Sequence, residues 1–101
     1  MPSANWLRTY DGAVAIITGG ASGIGRSLGE ALARRGAAVI LADVQIELAQ
    51  AVAASIQASG GKATAAEIDV RDFNTVSRLV ELTVKAHGRL DYLFKIGRAH
   101  V

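Results

Sequence analysis

Apolar and polar positions along the chain alternate between two kinds of segment. Residues 13–18 and Ala38-Val39-Ile40-Leu41-Ala42 are continuous apolar runs, the second closing on Asp43. Runs this short and this apolar suit strands covered on both faces, as in a parallel sheet. Residues from about Lys62 to Ile68 alternate more and end on Asp69, which predicts a strand nearer the sheet edge. Leu90 to Phe94 reads as a fourth strand.

Between the strands, apolar residues recur at helical spacing. Ile24, Leu28, Ala31 and Leu32 mark one face of a helix from about Gly23 to Arg35. Leu48, Ala49, Val52, Ala53 and Ile56 mark a second from about Gln45 to Ala58, and Val76, Leu79, Val80 and Val84 a third from about Phe73 to Ala86. Glu30 and Arg34 form a favourable i,i+4 pair. Asp11-Gly12 signals a turn, Asp72 caps the third helix, and Gly36, Gly60-Gly61 and Gly88 stop the three helices. Residues 1–12 read as a lead-in whose Trp6, Leu7 and Tyr10 pack on the domain's flank.

The order β-α-β-α-β-α-β with short connections predicts an α/β fold, a parallel sheet with helices on both faces. No repeat, low-complexity stretch or linker composition interrupts it. The 101 residues suffice for one small domain. At 50% hydrophobic and a mean hydropathy of +0.29, some apolar faces want cover that this chain does not supply.

The formal charge is +2, and it is zero without Lys95 and Arg98. No basic run exceeds Arg34-Arg35, which points away from nucleic acid. There is no cysteine, hence no disulfide and no thiolate metal site. His87 and His100 have no partners at ligand spacing, so no metal is expected. The N-terminus lacks a signal-peptide core and no stretch is long enough to span a membrane; the expectation is a soluble, cytoplasmic protein.

The chemistry concentrates in Thr18-Gly19-Gly20-Ala21-Ser22-Gly23-Ile24-Gly25, between the first strand and the first helix. A helix start has unpaired N–H groups and a partial positive charge, and glycines admit a ligand close to the backbone. A tight turn without a ligand is the plain alternative. Asp43 follows Gly25 by 18 residues at the end of the second strand, where in a dinucleotide fold a carboxylate would accept from both hydroxyls of the adenosine ribose and repel a 2′-phosphate. Val44 follows it and positions 21 and 22 carry no cation, so NAD is favoured over NADP. Asp43 also suits an N-cap of the next helix. Asp69 and Val70 end the third strand and are placed to meet an adenine ring, or simply to turn the chain. A competing pattern, Gly20 to Ser27, is a phosphate loop with Arg26 in place of its lysine and Asp43 as a magnesium ligand.

Together Thr18-Gly19, Gly23-Ile24-Gly25, Asp43, Asp69-Val70 and Leu90-Asp91-Tyr92-Leu93-Phe94 resemble the N-terminal half of the short-chain dehydrogenase/reductase family over about residues 10 to 94. The resemblance implies a Rossmann-type, doubly wound sheet of order 3-2-1-4, truncated after the fourth strand. It implies hydride transfer between NAD(P), here NAD on the Asp43 argument, and a small alcohol or carbonyl in a parent protein expected to be a homo-oligomer. It assigns the pyrophosphate to Gly19, Ser22, Gly23, Ile24 and Gly25, the ribose to Asp43, and the adenine to Asp69 and Val70. The family's catalytic Ser, Tyr and Lys have no counterpart here: Tyr10 and Tyr92 are followed four residues later by Val14 and Ile96. A non-catalytic dinucleotide-sensing module of the same fold is the alternative.

Where the family continues Asn-Asn-Ala-Gly, this chain has Lys95-Ile96-Gly97-Arg98. Ile96 to Val101 is what ATC GGA AGA GCA CAC GTC encodes, which resembles a sequencing adapter. The expectation is therefore that residues 1–94 are the N-terminal part of one dinucleotide-binding domain and 95–101 a non-native tail. Strand four is then expected to be an exposed apolar edge.

Overall fold

A computed structural model describes residues 9–96. Trp6, Leu7, Arg98 and His100 lie outside the described residues. Among the described residues four strands and three helices alternate: β1 (Val14–Thr18), α1 (Gly23–Arg34), β2 (Ala38–Asp43), α2 (Ile46–Ala58), β3 (Lys62–Glu67), α3 (Phe73–His87) and β4 (Tyr92–Lys95). The sheet order is β3-β2-β1-β4 and every pairing is parallel. β1 is central and buried at all five positions, whereas β3, at the sheet margin, alternates as its sequence predicts.

Side-chain alternation along the strands splits the core in two. Ala15 and Ile17 of β1 join Val39, Leu41, Ala63 and the inner faces of α1 and α2. Val14 and Ile16 join Ile40, Ala42, Ile68 and the α3 residues Val76, Leu79 and Val80. The chain thus winds from β1 out to β3 over one face and returns to β4 over the other. The direction reverses between β1 and β4, where such sheets open a crevice at the strands' carboxyl ends.

α1 is rotated relative to the expected face. Gly25, Gly29, Leu32 and Ala33 are buried, while Ile24 is 74% exposed. The cause is close packing on the sheet: a Cβ on Gly29 would stand 2.8 Å from Leu41 Cδ2 and 3.3 Å from Ile17 Cδ1. Glycine carries no weight in a hydrophobic pattern, yet here it faces the core. α2 buries Ala49, Val52, Ala53 and Ile56, with Leu48 left at the margin of that face. On α3 the buried position is Thr83, one turn beyond Leu79 and Val80, and Val84 points outward. Glu30 pairs with Arg26, not Arg34, at 3.1 Å. Helical side chains lean toward the N-terminus, which brings the Glu30 carboxylate to the preceding turn.

Asp72 caps α3 by accepting from the Asn74 N–H at 2.9 Å, and Gly88 ends that helix in the left-handed conformation. The lead-in turn docks through the Tyr10 N–H, which donates to the Arg35 carbonyl at 3.0 Å. Tyr10 meets Tyr92 edge-on, with ring centroids 5.9 Å apart. β4 begins two residues later than Leu90 and includes Lys95. Lys95 pairs with Thr18, and the Ile96 N–H donates to the Thr18 carbonyl at 3.2 Å, so these two residues continue the strand's course. Among the described residues no helix is long and apolar enough to cross a membrane.

Candidate functional site

The carboxyl ends of the four strands open onto a cleft of about 710 Å³. Each strand contributes to its wall: Gly19 after β1, Asp43 at the end of β2, Ile68 and Val70 after β3, and Ile96 after β4. Ser22, Gly23 and Ile24 border it from the start of α1.

β1 ends at buried Thr18, whose hydroxyl donates to the Phe94 carbonyl at 3.2 Å and ties the central strand to β4. The chain then turns back over β2. The Gly19 and Gly20 N–H groups donate to the Ala42 carbonyl at 2.8 and 3.3 Å. α1 starts immediately above this turn, and a Cβ on Gly25 would fall on the Gly19 carbonyl carbon and oxygen. Only glycine lets the helix begin so close to the strand end.

Ser22 occupies the N-cap of α1 in extended conformation, but its side chain makes no capping bond, and the first turn holds no acidic residue. The first-turn N–H groups therefore face the cleft with no side-chain acceptor, and the helix dipole adds to their partial positive charge. Gly23, with φ +59, has nothing within 4 Å of where its Cβ would be. A phosphate or pyrophosphate fits this helix start by charge and by space.

Asp43 faces the same cleft. Its Oδ2 accepts from the Ala21 N–H at 3.1 Å and its Oδ1 from the Gln45 N–H at 3.0 Å. An ionised carboxylate has about four acceptor sites, so each oxygen keeps one for a ligand. The N-cap of α2 is Gln45 rather than Asp43. The strand carries Asp43 two residues short of the N-cap, and it bonds the chain in an Asx turn instead. Around Asp43 the cleft wall is Val44, Gln45, Ile68 and Val70, and no Lys or Arg lines it among the described residues. Val44 and Val70 are 56% and 51% exposed, apolar surfaces open to a flat ligand.

Asp69 is not among the lining residues and is held by its neighbour. Arg71 donates to it through Nε, Nη2 and its backbone N–H, at 3.0, 2.9 and 3.0 Å. Those side-chain bonds first, then the backbone bond, hold the Asp69 carboxyl down to about 2. Oδ1 takes two of the three bonds, which leaves Oδ2 as the oxygen with room for a ligand donor.

Of the residues singled out in the sequence, Gly19, Ser22, Gly23, Ile24, Asp43 and Val70 line one cleft. Gly25 lies buried beneath it and Asp69 stands outside its wall. Val44, Gln45, Ile68 and Ile96 line it without having been anticipated as site residues. Ile68 carries no chemical signal, since it is the apolar residue next beyond β3; its place in the wall follows from strand order alone. Arg26, the cation of the phosphate-loop pattern, pairs with Glu30 and does not line the cleft, so that pattern lacks its phosphate-binding side chain. No group of three His, Cys, Asp or Glu side chains able to hold a metal occurs among the described residues.

The short chain dehydrogenase profile matches residues 13–97. Over 87 residues the chain is 48% identical to tropinone reductase-like 1 of Erythroxylum coca, covering 86% of this chain and 31% of that protein. It is 43% identical over 88 residues to (+)-cis,trans-nepetalactol synthase NEPS2 of Nepeta racemosa, covering 86% of this chain and 32% of that one. The crystal structure of a hydroxysteroid dehydrogenase from Escherichia coli superposes with a TM-score of 0.82 at 34% identity, covering 89% of this chain and 38% of that chain. The chain thus spans about a third of the length of the relatives it matches.

Proposed function

Because the chain belongs to the short chain dehydrogenase family, we propose that it forms the NAD-binding part of an oxidoreductase that moves hydride between NAD and an alcohol or carbonyl substrate. The α1 start, with Gly19, Ser22, Gly23 and Ile24, takes the pyrophosphate, and Gly25 keeps the helix close enough to do so. Asp43 takes the adenosine ribose. Val70 flanks the adenine, and Asp69 accepts from its amino group through Oδ2. Bound NAD supplies the hydride acceptor; this chain's own residues bind and orient it.

The observation that carries the preference for NAD is the Asp43 carboxylate in a cleft with no lining cation among the described residues. A ribose 2′-phosphate there would meet a like charge with nothing to offset it, a juxtaposition worth several kcal/mol. Relatives bearing the names of a reductase, a synthase and a dehydrogenase share this part of the chain, which supports a common dinucleotide site with substrate choice made elsewhere.

The test uses the full-length protein that contains this chain. Calorimetry should show NAD binding at least about tenfold tighter than NADP, and equal affinities would remove the preference. Absorbance of the reduced nicotinamide should rise with NAD and an alcohol panel; NAD binding with no turnover on any alcohol or carbonyl would overturn the enzymatic reading. The same reading places the protein in the cytoplasm and keeps residues 95–101 as a non-native tail. A coding sequence over 95–101 unlike the adapter would refute the latter.

A further inference from the structure

We propose that Asp43 is a positioning residue for the glycine turn as well as a ligand of the ribose. Three consecutive amides of the turn donate to the end of β2: Gly19 and Gly20 to the Ala42 carbonyl, and Ala21 to Asp43 Oδ2 at 3.1 Å. Of these acceptors only the Asp43 carboxylate is a side chain, so it is the one link a substitution can remove. Ala21 is 1% exposed. Its N–H meets the carboxylate in a partly buried bond at the cleft wall, and a donor that loses its acceptor there is destabilising. The Gln45 N–H, at 3.0 Å from Oδ1, sets the rotation of the carboxylate so that Oδ2 meets the turn.

The group that reads the ribose therefore also holds the backbone that receives the pyrophosphate. This rests on the assignment of the turn to the pyrophosphate. Removing Asp43 leaves the middle of the turn tethered only through Ala42, and the amides at the start of α1 lose their alignment. A loss of NAD affinity in an Asp43 variant then contains two parts, one of which does not involve ribose hydroxyls at all.

The experiment separates the two parts with an NAD analogue lacking the 2′- and 3′-hydroxyls of the adenosine ribose. Calorimetric titration of the full-length protein compares the unaltered form with Asp43→Ala. The expected result is that Asp43→Ala weakens the analogue by roughly tenfold, although it has no hydroxyl for Asp43 to bind. A weakening confined to NAD, with the analogue unaffected, leaves Asp43 to the ribose alone and overturns the proposal. If the unaltered protein binds neither ligand, the pyrophosphate assignment fails and the proposal with it. Amide hydrogen exchange in the unaltered, ligand-free protein is a second measurement that needs no variant to fold. The Ala21 N–H should be protected; exchange at the rate of an open loop overturns the proposal.

Discussion

Gly25 lies so close to the Gly19 carbonyl that a methyl group on its Cα would occupy the carbonyl's place. The contact joins the first turn of α1 to the residue after β1, and both partners are backbone, so neither can rotate away. Gly25→Ala must move the helix start off the strand. We expect it to cost about 3 kcal/mol, the upper range for overpacking, and to abolish NAD binding. Gly23→Ala meets no neighbouring atom and incurs only the left-handed backbone penalty at φ +59, about 1 kcal/mol. Urea unfolding midpoints of the two variants check the order, and a milder Gly25→Ala contradicts it.

Asp91 stands outside β4 yet closes the sheet at that end. Its Oδ2 accepts from the Val14 N–H at 2.8 Å, and its own N–H donates to the Val14 carbonyl at 2.9 Å. Arg89 holds the carboxylate from the other side, with Nη2 at 2.7 Å from Oδ1. Asp91→Ala leaves the first amide of the central strand without its acceptor. It should lower the thermal midpoint more than Arg89→Ala, which spares that bond; both variants remove the ion pair, so an equal or reversed order in a thermal scan would show that the Val14 bond adds nothing to stability.

The acid limb of stability should reflect two Arg–Asp pairs. Arg71 holds Asp69 down to about 2, and Arg89 and the Val14 N–H lower Asp91. A carboxylate depressed in the folded state stabilises that state above its unfolded pKa, and the contribution is lost as pH falls through the folded value. For Asp69 that window runs from 3.8 down to about 2. The Asp69 carboxyl carbon should therefore titrate by NMR near the lower value, and Arg71→Ala should move its midpoint upward. A midpoint that Arg71→Ala leaves unchanged would place the cause elsewhere.

Arg26 distinguishes the dinucleotide reading from a phosphate loop. Its guanidinium pairs with Glu30 at 3.1 Å on the exposed side of α1. Arg26→Ala should change NAD affinity in the full-length protein by less than about threefold, as expected when an exposed pair is removed. A loss of a hundredfold or more in calorimetry would return the phosphates to Arg26.

Among the described residues β4 pairs only with β1, and Tyr92 and Leu93 are 40% and 39% exposed on it. A strand edge with apolar side chains is a template for association. The 101-residue chain on its own should sediment as oligomers at micromolar concentration, and Leu93→Lys should reduce them. A cooperatively unfolding monomer would contradict this.

The element order was legible without coordinates, and so was the placing of Gly19, Ser22, Gly23, Ile24, Asp43 and Val70 near one another at the strands' carboxyl ends. Strands β1 and β2 announce themselves because a strand covered on both faces must be apolar throughout. Asp72 and Gly88 announce the ends of α3 because capping is local chemistry. The inner face of α1 was not legible. Gly25 and Gly29 face the core because the helix lies too close to Ile17 and Leu41 for a side chain, and closeness between elements is not written in either one.

The sequence by itself determined the alternation of elements, the glycine turn at a helix start and the carboxylate at a strand end, all set by contacts within a few residues. Only the tertiary structure decided that Asp43 Oδ2 meets the Ala21 amide and that Ile68 joins Asp43 and the glycine turn around one cleft. Asp43 and Ala21 are 22 residues apart along the chain. Their meeting depends on β1 and β2 lying side by side in register, which is a property of the packed sheet.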